Sequence, residues 1–325
     1  MKKLMLILLF SFSLSLLVGQ DLSTPKDGNL FTNTISPFIP GKMEMYDDDK
    51  ILNERNLVLR NERIYENVLS GINIAIPNRT LNTDIVWINN ETYVVLTGNS
   101  DRYPHGILGD KIESTGFAVY TDSKMVSSYE LPTNRVFETL RPLAADIIPE
   151  NPGSEIILTS SNDSEGARVE VYSQGGVLLG KSSSIGRGYR WLHILGAAAF
   201  SDSQKKYIAI VKTPHINGVL ELLYWNGESL ESEVSLNNIS THQIGSSNLN
   251  MALLINMDGS SESELLIPTF DFRNLVVIKY MGNELQVIKR FKLPGRIATN
   301  LYFDNDNPAS VWIGLSNGSI VRIFE

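Results

Sequence analysis

Four histidines, His105, His193, His215 and His242, lie in polar tracts that also carry Arg102, Arg141, Arg190, Arg273 and Arg296. Asn248 and Asn300, and the carboxylates Asp110, Glu113 and Asp271, fall in the same tracts. An imidazole exchanges its proton near neutral pH and serves as base, hydrogen-bonding group or metal ligand. A guanidinium holds a carboxylate or phosphate through parallel N–H bonds. Together these residues suit binding of a small anionic or glycan-like ligand. Two other chemistries use subsets of them. A glycan-acting hydrolase or lyase needs a carboxylate pair at defined separation, for which Asp110 and Glu113 with Asp271 are the available set. A metal site would draw on His105, His215 and His242 with Asp110. Each residue also has a plain structural role open to it. Arginines between strands pin backbone carbonyls, and His193, between Leu192 and Ile194, suits a packed position. No G-x-S-x-G elbow, P-loop or H-E-x-x-H occurs, and no cofactor is implied. The chain has 0 Cys, which removes thiolate nucleophiles and thiolate metal ligands.

The elements that must position these side chains read as strands. TYVVLT (92–97), EIILT (155–159), YIAIVK (207–212), ELLIP (264–268) and SVWIGL (310–315) are short apolar runs bounded by Gly, Asn, Asp, Ser or Pro. Half-exposed, alternating runs follow at 117–120, 168–172, 220–225, 275–280 and 319–324. Another short strand and a polar loop precede each buried run, as in LAADIIPENPGSEIIL (143–158) and ALLINMDGSSESELLI (252–267). With Asp84, Asp146, Ala199, Asn256 and Asp304 as equivalent positions, the unit recurs every 50–60 residues or so, the period of a four-stranded propeller blade. The expected fold is an all-β propeller of about five four-stranded blades over residues 68–325. The fifth unit ends one strand short, so a ring needs an N-terminal strand to close it. Val68–Pro77 is the expected donor. In such a ring, loops between second and third strands share one face with the connections between blades. That face would gather all the candidate residues above.

The first residues read as an export signal. Lys2 and Lys3 precede the apolar run Leu4–Val18, and composition turns polar after Gly19. Residues 1–20 are therefore expected to be a signal peptide, and the protein exported, periplasmic or secreted, with no membrane span once the signal is removed. Residues 21–67 read as an irregular N-terminal arm, in which 51–67 suits a short helix or a hairpin outside the ring. The net charge of −8 offers no basic face to phosphates, which argues against nucleic acid as a partner. The partners left are a small ligand or an envelope protein.

NMDGSSESELLI and LAADIIPENPGSEIIL resemble the FG-GAP or VCBS-type repeat. YPHGILGDKIE, YRWLHILGAAAF, KTPHINGVLELLYW, THQIGSSNLNMALL and GRIATNL are more specifically similar to tracts of an uncharacterised group of exported bacterial repeat proteins. The resemblance covers 84–325 and implies a β-propeller and export, with no implied activity. The acidic loops depart from the family pattern. Asn256, Asp258 and Ser260 stand where three acids would hold calcium, Pro308 interrupts the loop at Asp304, and Ser201 and Ser203 replace acids after Ala199. These loops are expected to be hydrogen-bonded turns without metal.

Overall fold

The structure is a computed structural model. It describes residues 36–37, 42–46, 58–60, 63–65, 78–80, 83–122, 124–203, 205–257, 259–304 and 307–324. The expected signal segment 1–20, most of the arm and the expected closing strand 68–77 lie outside the described residues. Among the described residues there is no α-helix, and no helix long and apolar enough to cross a membrane.

Four short strands come from the arm: β1 (Ser36–Pro37), β2 (Lys42–Tyr46), β3 (Val58–Arg60) and β4 (Arg63–Tyr65). An antiparallel meander follows, of β5 (Val86–Trp87), β6 (Thr92–Ser100), β7 (Glu113–Thr121) and β8 (Lys124–Glu130). The short β9 (Val136–Phe137) pairs with β7 and with β11, and so joins this meander to the next. The second meander is β10 (Leu143–Ala145), β11 (Glu155–Ser161), β12 (Arg168–Tyr172) and β13 (Leu178–Lys181). The third is β14 (Leu192–Ala199), β15 (Lys206–Lys212), β16 (Val219–Trp225) and β17 (Leu230–Asn237). The fourth is β18 (Leu253–Asn256), β19 (Glu264–Pro268), β20 (Asn274–Met281) and β21 (Glu284–Lys292), with β1 parallel to β18. The last holds β22 (Ile297–Asp304), β23 (Asn307–Leu315) and β24 (Ile320–Phe324).

The last meander gains its fourth strand from upstream, from β2. β2 runs antiparallel to β24, with Lys42 opposite Phe324 and Tyr46 opposite Ile320. KMEMY alternates apolar and polar residues as a strand should, but it is short and set in a Pro- and Gly-rich arm. β3 and β4 pair antiparallel, and β4 lies against β22, at the edge of the sheet opposite β2.

Burial is graded within each meander. Second strands such as β11 and β19 are buried throughout, whereas the fourth strands β8, β17 and β21 are largely exposed. Val, Ile and Leu therefore dominate the former, and polar and charged residues are frequent in the latter. Each sheet packs on its successor. Leu96, Phe117 and Val119 meet Ile156, Leu158 and Tyr172. Ile157 and Val169 meet Leu192, Ile208 and Ile210. Leu220 and Leu222 meet Leu265 and Val276. Leu266 and Leu275 meet Ile297, Val311 and Ile323. Burying each such side chain contributes roughly 1.5–3 kcal/mol.

Two readings of the repeat change in detail. The alternation in β12 suggests an exposed Glu170, but Glu170 is buried, held by Arg168 at 2.6 Å and by the Tyr172 hydroxyl at 2.5 Å. The next sheet covers that face, so the charge is paired instead of solvated. Asp84 precedes β5, whereas Ala199, Asn256 and Asp304 end their strands. The turn-forming equivalent in the first unit is Asn89, whose side-chain oxygen accepts from the Glu91 and Thr92 N–H groups.

The turns hold their shape through protein hydrogen bonds. Asn256 bonds the Ser260 and Glu262 carbonyls and the Gly259 N–H. Glu264 accepts from the Met257 N–H and binds Lys279 at 2.9 Å. Glu155, also first in its strand, accepts from Ile147, Ile148 and Asn151. In both units the last acid of the repeat motif caps the preceding loop.

Candidate functional site

Loops from different sheets meet over a cavity of about 270 Å³ lined by His105, Ile107, Tyr189, Arg190, Trp191, Thr213, His215, Ile216 and Ile244. His105 and Ile107 come from the β6–β7 loop, and Tyr189 to Trp191 from the β13–β14 connection. Thr213 to Ile216 come from the β15–β16 loop, and Ile244 from the β17–β18 connection. These are the two loop classes singled out from sequence. Backbone bonds lock them together: the Tyr189 N–H donates to the Tyr103 hydroxyl at 2.8 Å, and the Thr213 N–H to the Trp191 carbonyl at 2.9 Å. The Gly245 N–H donates to the Ile107 carbonyl at 2.9 Å.

The imidazoles have assigned partners. His242 Nε2 faces the Ser246 carbonyl at 2.7 Å, and a carbonyl only accepts, so His242 carries its proton on Nε2. His242 Nδ1 is then an acceptor for His215 Nε2 at 2.8 Å. His215 is therefore protonated on Nε2, which leaves the Nδ1 lone pair as its remaining hydrogen-bonding site. Burial, then the neighbouring His242 and His105, pull its pKa down to about 3, so it is neutral near pH 7. His193 is buried, bonded to the Thr241 hydroxyl at 2.9 Å, and held well below its ordinary pKa, first by burial. Trp191 stacks with both His193 and His215, with ring centroids 5.2 and 6.0 Å away, and donates its indole N–H to the Glu138 carbonyl.

His105 has a different partner. Its Nδ1 lies 2.5 Å from Oε1 of Glu138, a fully buried carboxylate whose Oε2 accepts from the Ser161 hydroxyl at 2.6 Å. Burial raises the Glu138 pKa, and the His105 and Ser161 hydrogen bonds oppose that rise. The edges of Tyr103 and Tyr189 frame the imidazole. Arg190 is the cationic side chain among the described lining residues, and its Nη1 donates to the Tyr189 carbonyl. The rim is apolar: Tyr189, Ile216 and Ile244 are 46%, 55% and 73% exposed. Two lining residues hold left-handed backbone, Tyr189 at φ 54° and Thr213 at φ 45°. A β-branched residue there is strained by roughly 1–3 kcal/mol. The Thr213 carbonyl helps to hold the turn, accepting from the N–H groups of Ile216, Asn217 and Gly218.

The other sequence-selected residues do not line this cavity. Arg102 donates to the Pro132 and Arg135 carbonyls, and Arg141 to the Asn250 side chain at 2.7 Å. Asn248 donates to the Ala298 carbonyl, and Asn300, within β22, accepts from the Asn250 N–H. Asp110 caps the Ile112 N–H, and Asp271 caps the Thr269–Asn274 turn that carries Arg273. Arg296 is exposed and lies over the Phe272 ring. Glu113 opens β7 and is buried, and burial, then Glu138, push its pKa up to about 9. Asp110, Glu113 and Asp271 are not among the residues lining the cavity. Both ring nitrogens of His242 are bonded within the protein, which removes it from a ligand set with His105, His215 and Asp110. Among the described residues no cluster of three His, Asp or Glu is placed to hold a metal ion.

Glu138, Trp191, Tyr189 and Thr213 were not singled out from sequence. The available signal for Glu138 was a lone acid inside the apolar run Val136–Leu140. No known family model matches this chain, and no curated protein matches it.

Proposed function

We propose that the chain is an exported β-propeller of five four-stranded blades that binds a small hydroxylated ligand carrying an anionic group. Serial packing of the meanders, and completion of the last one by β2, support the ring. A closed ring leaves no unpaired inner sheet edge. It also brings the β6–β7, β13–β14 and β15–β16 loops to one mouth. The observation that carries the binding reading is the composition of the cavity: Arg190, His105 and His215 around Trp191 within an apolar rim. Pockets of this kind hold few polar groups in fixed positions on mostly apolar walls. Arg190 suits a carboxylate or phosphate. The fixed tautomer of His215 offers an acceptor to a ligand hydroxyl.

A thermal-shift screen tests this reading, with glucuronate, uronate oligosaccharides, neutral oligosaccharides and phosphate esters. A ligand at a hundred times its Kd adds about 2.7 kcal/mol of stability. Acidic sugars or phosphate esters are expected to raise the melting temperature, and Arg190→Ala to weaken the shift. Equal shifts from neutral and acidic sugars, or an undiminished shift in Arg190→Ala, would contradict it.

A further inference from the structure

The Glu138–His105 pair differs from the buried Arg135–Glu170 pair. Arg135 and Glu170 approach to 3.9 Å within the packed sheets and do not line the cavity described above. Glu138 and His105 connect the interior with the cavity. The Glu138 carboxylate is removed from solvent beside buried Val136 and Phe137, and both of its oxygens are fixed, by His105 and Ser161. A buried carboxylate on Nδ1 keeps that proton in place, so the lone pair of the neutral ring resides on Nε2. Among the described residues nothing bonds that second nitrogen, while the ring lines the cavity between Tyr189 and His215. A base fixed by a buried third group beside a cation is a pairing that general-base chemistry uses.

We propose that the cavity is a catalytic site for carboxylic ester cleavage, in which His105 is the general base and Glu138 its positioning residue. This rests on reading the cavity as the ligand site. His105 Nε2 takes a proton from water as the water oxygen bonds to the acyl carbon. The carbonyl π pair moves to the carbonyl oxygen, which Arg190 stabilises. The pair then returns, the bond to the alkoxy oxygen breaks, and the imidazolium gives its proton to that leaving oxygen. One water is consumed and one acid and one alcohol form, while Glu138 holds the Nδ1 side of the ring in place. The apolar rim of Tyr189, Ile216 and Ile244 suits the alkyl or aryl part of the ester.

The probe is p-nitrophenyl acetate with the full chain, initial rates being followed against pH. The groups around the His105 ring are Glu138, Tyr103, Tyr189 and His215, with Glu113 near Glu138. His105→Gln is expected to lose about 100-fold of the protein-dependent rate. Glu138→Gln is expected to slow the reaction and move the midpoint of the pH profile down by about one unit, because the imidazolium loses its counter-charge. Lys124→Ala, on the exposed strand β8, should match wild type. A wild-type rate in His105→Gln, or a slower Glu138→Gln with an unmoved midpoint, overturns the proposal. If His105→Gln melts early, the Glu138→Gln midpoint decides. Ligand-induced stabilisation without a His105-dependent rate would end the catalytic proposal and leave the binding reading standing. Loss of both would end both.

Discussion

Glu113 is a carboxyl group kept from water at the start of β7, with a pKa raised to about 9. Its pKa in the unfolded chain is near 4.3. Between those values the folded state holds the extra proton, so stability falls as pH rises through that window. Glu113→Gln removes the ionisation, and it is expected to raise the melting temperature at pH 8 while changing little at pH 4. An equal shift at both values would contradict this assignment. His215 works in the opposite sense. Its folded pKa is depressed from 6.5 to about 3, so its contribution is present above 6.5 and lost as pH falls towards 3. His215→Gln is expected to flatten the acid side of the stability profile, measured by denaturant unfolding from pH 7 to pH 4. The His/Arg content of the loops was legible because those residue types are sparse in a chain with only 4 His. Which of them meet was not. Arg102 and Arg141 bond other loops, and Glu138 reaches His105 across a sequence distance that no spacing rule describes.

At the scale of elements, the second and third strands of each meander were readable because apolar runs and turn residues alternate along 84–325. The first unit was placed several residues out of step, since β5 is only 2 residues long and gives little periodicity. β2 was hidden for a different reason. Its pairing with β24 closes a loop nearly the length of the chain, and only the partner edge reveals the need for it. Removing residues 1–46 is expected to lower the melting temperature and to speed hydrogen exchange at the β24 amides. Unchanged exchange there would show that β2 does not complete the sheet. The β15–β16 loop depends on Gly218, which sits at φ 55° with the Ile239 carbonyl where a Cβ would stand. Gly218→Ala is expected to destabilise by about 1–3 kcal/mol and to weaken ligand binding as well, because the same loop carries Thr213 and His215.

The whole molecule sets a cavity where loops of different sheets meet. Each sheet packs on the next, so the loops at one end are fixed relative to each other by cores that bury most of the second strands. The repeat period implied that array, and the resemblance to FG-GAP or VCBS-type repeats implied the same. Neither indicated a cavity bounded by Trp191 and two imidazoles in fixed tautomers. That arrangement is the centre of the account. The imidazole 15N spectrum of the full chain at neutral pH, then titrated with sodium glucuronate, tests it most directly. His215 is expected to be neutral with its proton on Nε2, His242 to carry a proton on Nε2 facing Ser246, and His105 to carry one on Nδ1 facing Glu138. The His105 and His215 signals should move together on saturation, and Arg190→Ala should suppress that movement. A His215 that titrates near its ordinary pH of about 6.5, with no response to glucuronate, would contradict it.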